Sequence, residues 1–412
     1  MDGNGPFQTY DDRSDTACCV PRLAALRAEL EGRGLDGFVV PHADEHQGEY
    51  LPPCAERLAW LTAFTGSAGA AVVLKDKAAI FVDGRYTLQV RAQTDTRLFE
   101  PRDLVAEGPQ GWIPDHLGQG ARLGYDPWLT TENGVVILKQ AVERAKGALL
   151  ATDGNPLDAV WRERPGPPSQ PAMPHPLILA GEESSSKRTR VARSMRKAGA
   201  DAVVLTLCDS VCWLFNIRGR DVPHTPFVMA YAVLYADESA ELFLEGDKCS
   251  PELIAHLGQG VRLMPPAAFT AALDGLKAKT VLADPATAAS AIFDRLRRAG
   301  TKVVHGTDPC QLPKACKNPV ELEGARVAHV RDGAALSRFL CWFHREAPRG
   351  ALTEIAAAES LEGFRRATNC LSDLSFDSIA GAGANGAIVH YRVTRSTNRA
   401  IANNEMFLID SG

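Results

Sequence analysis

An approximate internal repeat constrains this chain more than any other feature, because two copies of one pattern imply two related domains. In the first copy Arg22-Leu23 opens an amphipathic helix with Leu23, Leu26 and Leu30 on one face, and after Gly34 the run Phe38-Val39-Val40 reads as a strand. The order recurs in a helix from Val191 to Lys197, ended by Gly199, and a strand from Ala202 to Leu205. Each strand leads to a polar turn, Asp44-Glu45 or Asp209-Ser210, and then to a tryptophan segment, Leu58 to Leu61 or Cys212 to Phe215. Each copy continues through a glycine-containing loop, Gly66-Ser67-Ala68-Gly69 or Arg218-Gly219-Arg220-Asp221. A strand pair closes each, Ala70 to Leu74 with Ala79 to Val82, and Ala230 to Tyr235 with Ala240 to Leu244. Two related α/β domains are the expectation.

The prolines from Pro165 to Pro176 remove backbone donors and favour extended chain, so residues 164–176 read as a linker between domains at 1–163 and 177–313. A third region, 314–412, changes to long helices. Ala335, Leu336, Phe339, Leu340 and Phe343 recur at helical spacing between Glu321 and Arg345, and Pro348-Arg349-Gly350 stops the run. Thr353 caps a helix from Glu354 to about Phe364. Strands are expected at Ala387 to Tyr391 and at Glu405 to Asp410.

The chain has 412 residues, more than one hydrophobic core usually supports. A net charge of −5 offers no basic excess for phosphate backbones or anionic membranes, so no nucleic acid and no membrane are expected as partners. The start at Met1 to Gly5, followed by Asp11, Asp12 and Asp15, lacks the basic and apolar segments of an export signal, which points to the cytoplasm. Phe227 to Ala236 is too short to span a bilayer and reads as a buried strand. Ten cysteines without C-x-x-C pairs read as reduced, mostly buried thiols.

Several clusters carry possible chemistry. Gly381 to Gly386 matches G-x-G-x-x-G, but a strand is expected after it rather than a helix N-terminus, which argues against dinucleotide binding. His390 and Asp410 sit on two expected strands, and pairing of those strands would bring imidazole and carboxylate to one cavity; the plain alternative is two hydrogen-bonded structural groups. His42, Asp44, Glu45, His46 and Glu49 crowd a strand end, where Pro41 favours a turn; that spacing suits a solvated or substrate-facing loop better than joint metal ligation. Arg85, in Asp83-Gly84-Arg85-Tyr86, suits either a carboxylate clamp or a surface turn.

The segments Pro41 to Gly69, Phe81 to Gln89, Trp213 to Pro226, Lys317 to Leu336, Ser375 to Tyr391 and Phe407 to Gly412 give the chain a family resemblance. It resembles the long, three-domain form of Xaa-Pro aminopeptidase (aminopeptidase P) among the pita-bread metallopeptidases. The resemblance implies an α/β fold, with two creatinase-like N-terminal domains followed by the first half of an α+β pita-bread domain. It further implies hydrolysis of the bond before proline in peptides with proline second, two divalent metals, usually manganese (Mn2+), and a homodimer. Asp410 matches a bridging metal ligand and His390 the histidine beside the scissile bond, while Asp44, His46, Glu49 and Arg85 are candidate substrate contacts. The remaining ligands, an aspartate, a histidine and two glutamates, would lie after Gly412, so a truncated chain that retains no metal and is inactive as written is the expectation. A non-catalytic module that binds peptides or dimerises is the alternative, and another pita-bread activity such as an Xaa-Pro dipeptidase is a third reading. Ala63 stands where relatives carry glycine, which is tolerable at negative φ.

Overall fold

The apolar runs build two six-stranded sheets of identical topology in the computed structural model, which describes residues 7–412. The acidic start at Met1 to Gly5 lies outside the described residues. In the first domain β1 (Gly37–Pro41), β2 (Ala70–Leu74), β3 (Ala78–Val82), β4 (Glu100–Asp103), β5 (Arg122–Tyr125) and β6 (Ala148–Ala151) lie in the order β4-β3-β2-β1-β5-β6. In the second, β7 (Ala202–Leu205), β8 (Tyr231–Tyr235), β9 (Ala240–Phe243), β10 (Val261–Met264), β11 (Thr280–Ala283) and β12 (Lys302–His305) lie in the order β10-β9-β8-β7-β11-β12. Pairing directions also correspond, with β1/β2 and β7/β8 antiparallel and β1/β5 and β7/β11 parallel.

The central strands are covered on both faces, which is why they read as continuous apolar runs. Alternation sends Phe38 and Val40 towards Leu23, Leu26 and Leu30 of the helix Cys19–Gly32, and Val39 towards Trp112, Ile113 and Leu138 on the other side. In the second domain Val203 and Leu205 face one core, and Ala202 and Val204 the other.

The two domains join through the equivalent loop of each copy. Glu132 N–H donates to the Ala288 carbonyl and Ser290 N–H to that of Thr130; Asn133 N–H donates to the Pro285 carbonyl and Ala291 N–H to that of Pro127. Each bond thus has its counterpart with the roles of the domains exchanged, and Thr131 and Ala289 form an antiparallel bridge between the two loops. The arrangement is an approximate two-fold axis within one chain.

In the third region Asn318 and Glu321 form a reciprocal cap on the helix Pro319–Glu346, and Thr353 caps Glu354–Arg366 through the Ala356 N–H. The hairpin β13 (Ile379–Ala382) and β14 (Phe407–Asp410) packs beside them, with Ile379 opposite Asp410. Phe339, Ala357, Leu361 and Ala382 form the small core, Phe407 stacks on Phe343 at 4.8 Å, and Met406 is 83% exposed. An arm of residues 7–15 runs back along this region: Gln8 pairs its amide with both backbone groups of Ser378, and the Tyr10 carbonyl accepts from Arg395 N–H.

Four expectations need correction. Ala387 to Tyr391 is not a strand; the strand precedes the glycines, followed by a short 3-10 segment, Gly383–Ala387, and a turn. Buried Glu354 draws the segment round by accepting from Ala382 N–H, Asn385 Nδ2 and the Tyr391 hydroxyl. The case against a dinucleotide site therefore rests on the missing helix N-terminus after the glycines, not on their order relative to a strand. The last strand begins at Phe407 rather than Glu405. Only Cys19, Cys208, Cys212 and Cys310 of the ten thiols are buried; Cys18, Cys54 and Cys249 are half-buried, and Cys316, Cys341 and Cys370 fall on exposed positions of the third region.

Ala63 does not sit at negative φ. It closes the helix Arg57–Thr62 at φ 63°, in the left-handed region where a Cβ is strained. Ala63→Gly is expected to raise stability by about 1 kcal/mol, measured by urea denaturation; an unchanged or lower midpoint would show that the buried methyl outweighs the strain.

Candidate functional site

A cavity of about 370 Å3 lies where all three regions meet. The first domain contributes His42, Glu49, Glu56, Ser67 and Tyr86, the second Pro223 and His224, the third Asp377, His390, Arg392 and Asp410, and the N-terminal arm Arg13. Asp410 arrives at the polar end of β14, exposed and facing this space. His390 sits in the turn after the glycine segment at φ 57°. The two do reach one cavity, although on a strand and a turn rather than on paired strands.

His390 is held from the first domain. The Tyr86 hydroxyl lies 3.1 Å from Nδ1, with the two rings edge to face at 5.7 Å. Ser67 reaches the same hydroxyl through its N–H at 3.2 Å and its Oγ at 2.8 Å. Gly66 makes this possible, since a Cβ there would lie 2.3 Å from the Phe64 ring and 2.9 Å from that of Tyr86.

His224 crosses from the second domain, also at positive φ, 60°. Its Nδ1 lies 3.2 Å from Asp373 and its Nε2 3.2 Å from Asp377. Both nitrogens donate to carboxylates only when the ring is an imidazolium. The hydrogen bond to Asp377 accordingly raises its pKa against the opposing pull of burial. Burial pushes the Asp377 carboxyl up, but hydrogen bonds from His224 and Arg392 outweigh this and leave it below the usual range. Arg392 also holds the carbonyls of Thr9 and Asp11, so the arm, the second domain and the third share one charged network. Elsewhere on the wall, burial pushes Glu56 up to about 7 and lowers the pKa of His42, whose Nε2 lies 3.0 Å from the Glu49 carbonyl.

The candidate substrate contacts divide. Glu49 lines the cavity. Buried Asp44 instead shapes its own loop, accepting from the N–H groups of His46 and Gly48. His46 turns to the second domain, with Nδ1 2.8 Å from the Thr206 carbonyl and its ring 4.3 Å from that of Tyr231. Arg85 is bound to Asp83 and lies over the Tyr86 ring at 5.1 Å. Tyr86, Ser67, His224 and Asp377 were not singled out from the sequence. All four lie in the segments that carry the family resemblance, but no local pattern reveals contacts across domains.

Asp410 is the only metal ligand assigned by resemblance, and among the described residues no group of three or more His, Cys, Asp or Glu side chains could hold a metal. One carboxylate supplies neither the coordination nor the charge for two divalent ions, so the described donor set does not fit such a centre by itself.

A creatinase-type domain pair leading into a metallopeptidase segment is what the matches describe. Residues 22–154 and 163–321 each match the Creatinase/Prolidase N-terminal domain, and residues 323–412 match metallopeptidase family M24. Aminopeptidase P2 of Arabidopsis thaliana is 34% identical over 95% of this chain and 60% of its own length. A probable Xaa-Pro aminopeptidase P of Neosartorya fischeri is 34% identical over 98% of this chain and 64% of its own. The X-prolyl aminopeptidase of Caenorhabditis elegans, described as a cytosolic enzyme with a di-nuclear active site, superposes with a TM-score of 0.89 at 28% identity, covering 96% of this chain and 67% of that one. The chain belongs to the Xaa-Pro aminopeptidase (aminopeptidase P) family, and spans 60% and 64% of the length of those two curated relatives.

Stability should respond to pH through His224. Its contribution is complete below the unfolded pKa of about 6.5 and is lost as pH rises through the raised folded value. In urea melts across this range, the difference between the protein and His224→Gln is expected to shrink as pH rises; a difference independent of pH would exclude the imidazolium.

Proposed function

We propose that this chain carries the substrate-gathering part of an Xaa-Pro aminopeptidase, which removes the N-terminal residue preceding proline. The observation that carries the reading is the meeting of His390 and Asp410 in one cavity walled by all three regions. Glu49, Asp377 and Asp410 bring carboxylates to that wall, which suits the ammonium group of a peptide N-terminus. His390, near the scissile bond in this reading, donates a hydrogen bond to the carbonyl and to the oxyanion that replaces it. Cytosolic placement accords with the C. elegans relative, a cytosolic enzyme, and among the described residues no helix is long and apolar enough to cross a membrane.

Manganese is the metal we assign to the complete di-nuclear centre, with Asp410 as one ligand. The 412-residue polypeptide assayed alone is a peptide binder without turnover in this reading, because its described side chains assemble no metal cluster. This favours the binding-module alternative for the isolated chain, while the paired N-terminal matches favour the three-domain aminopeptidases over a dipeptidase.

Incubation with manganese, desalting and elemental analysis should find less than one metal per chain, with no release of the first residue from an Xaa-Pro peptide. Stoichiometric metal or clear turnover would refute the inactive reading. Calorimetry with the same peptide should still show binding, weakened about fivefold by His390→Ala, the loss of one hydrogen bond of about 1 kcal/mol. Absence of binding to the unaltered chain would refute the substrate-gathering role.

A further inference from the structure

The contact between Tyr86 and His390 joins two domains far apart in sequence, and its hydrogen-bond polarity has a chemical consequence. We propose that Tyr86 is a positioning residue that donates its hydroxyl proton to Nδ1 of His390, fixing the imidazole as the tautomer protonated on Nε2. The inference rests on the role given to His390 above, and it supplies the donor which that role requires.

A phenol oxygen carries one proton and accepts through two lone pairs. Three groups surround the oxygen of Tyr86: Ser67 N–H, Ser67 Oγ and His390 Nδ1. The backbone N–H can only donate, so it takes one lone pair. If Ser67 Oγ–H takes the second, the phenol proton is left for Nδ1 and the hydrogens of Tyr86 and Ser67 all have acceptors, while the Nε2–H of His390, a residue that lines the cavity, has no protein acceptor among the described residues and is left for substrate. The reverse polarity, with Nδ1–H donating to Tyr86 and Tyr86 to Ser67, leaves the serine proton without a protein acceptor among the described residues. Arg85 tips the balance the same way. Its guanidinium lies 5.1 Å from the Tyr86 ring centroid, where a cation draws electron density from the ring and strengthens the phenol as a donor.

The geometry is also held firmly. Asp83 binds Arg85 through paired contacts of 2.7 and 3.0 Å, Tyr86 is 3% exposed, and Phe64 packs edge-on against it at 5.5 Å. Asp83, Arg85 and Tyr86 thus form one device: the carboxylate fixes the cation, the cation polarises the phenol, and the phenol sets the proton on His390. A neutral imidazole orientated this way offers Nε2–H to a carbonyl oxygen and has no need to gain or lose a proton to do so.

The test uses the full 412-residue protein, labelled with 15N-histidine and studied by NMR in mildly alkaline buffer, with His390→Gln to assign the resonances. His390 is expected as the Nε2–H tautomer in the unaltered protein, and as a mixture of both tautomers in Tyr86→Phe. Ser67→Ala removes the serine hydroxyl but leaves the donor to Nδ1, so the Nε2–H tautomer is expected to persist. An Nδ1–H tautomer in the unaltered protein, an unchanged tautomer in Tyr86→Phe, or a changed one in Ser67→Ala would overturn the proposal. If Tyr86→Phe fails to fold, the unaltered protein and Ser67→Ala still decide it. The readout needs no substrate, so failure of the tautomer assignment is distinct from failure of the peptidase reading.

Discussion

Everything at the cavity depends on a backbone exchange between two copies of one loop. Four reciprocal hydrogen bonds and the bridge between Thr131 and Ala289 fix the first domain on the second. Backbone bonds of this kind depend little on side-chain identity, so the joint survives the divergence that separates the copies in sequence. Side chains then reinforce it asymmetrically: His46 bonds the Thr206 carbonyl, and Arg297 pairs with Glu132. Without this register, the wall bearing Tyr86 and Ser67 would have no fixed relation to the one bearing His224.

The third region is organised differently, around a single buried carboxylate. Glu354 is fully buried and collects donors from Ala382, Asn385, Tyr391 and Arg399. Removing any one donor leaves the others, but removing the carboxylate takes the side-chain acceptor from the Ala382 and Arg399 N–H groups together and leaves Asn385 and Tyr391 only their mutual contact and Thr397. That dependence explains how a segment with β-branched residues adopts a turn with His390 in the left-handed region. The strain is local, and Glu354 and Tyr86 restrain the turn from opposite sides.

Much of this was legible in the sequence. The repeat gave both domains and close limits for the first three strands of each, because helical and strand periodicities report burial directly, whereas β4 to β6 and β10 to β12 went unread. Strand placement brought Asp410 and His390 together and resemblance alone suggested their roles; the expected convergence survived although the strand assigned to His390 did not. Apolar content at Ile388-Val389 outweighed, in a one-dimensional reading, the hydrogen-bond demand of Glu354 more than thirty residues away. Asp44 and His46 looked chemical because their side chains are chemical, yet one nucleates a turn and the other seals a domain joint. His224 was hidden for the opposite reason: its partners, Asp373 and Asp377, lie about 150 residues further on.

Most long-range partners of the arm at residues 7–15 lie 355 or more residues downstream, among them Glu362, Ser378 and Ser396, although Ser14 Oγ also donates to the Gln93 carbonyl of the first domain. The arm is made well before the surface it docks on. The arm therefore finds these partners only once the third region has been made, and the wall that sets Arg13 near Asp377 and Asp410 is assembled no earlier. Docking of the arm thus ties residues 7–15 to the packing of the third region.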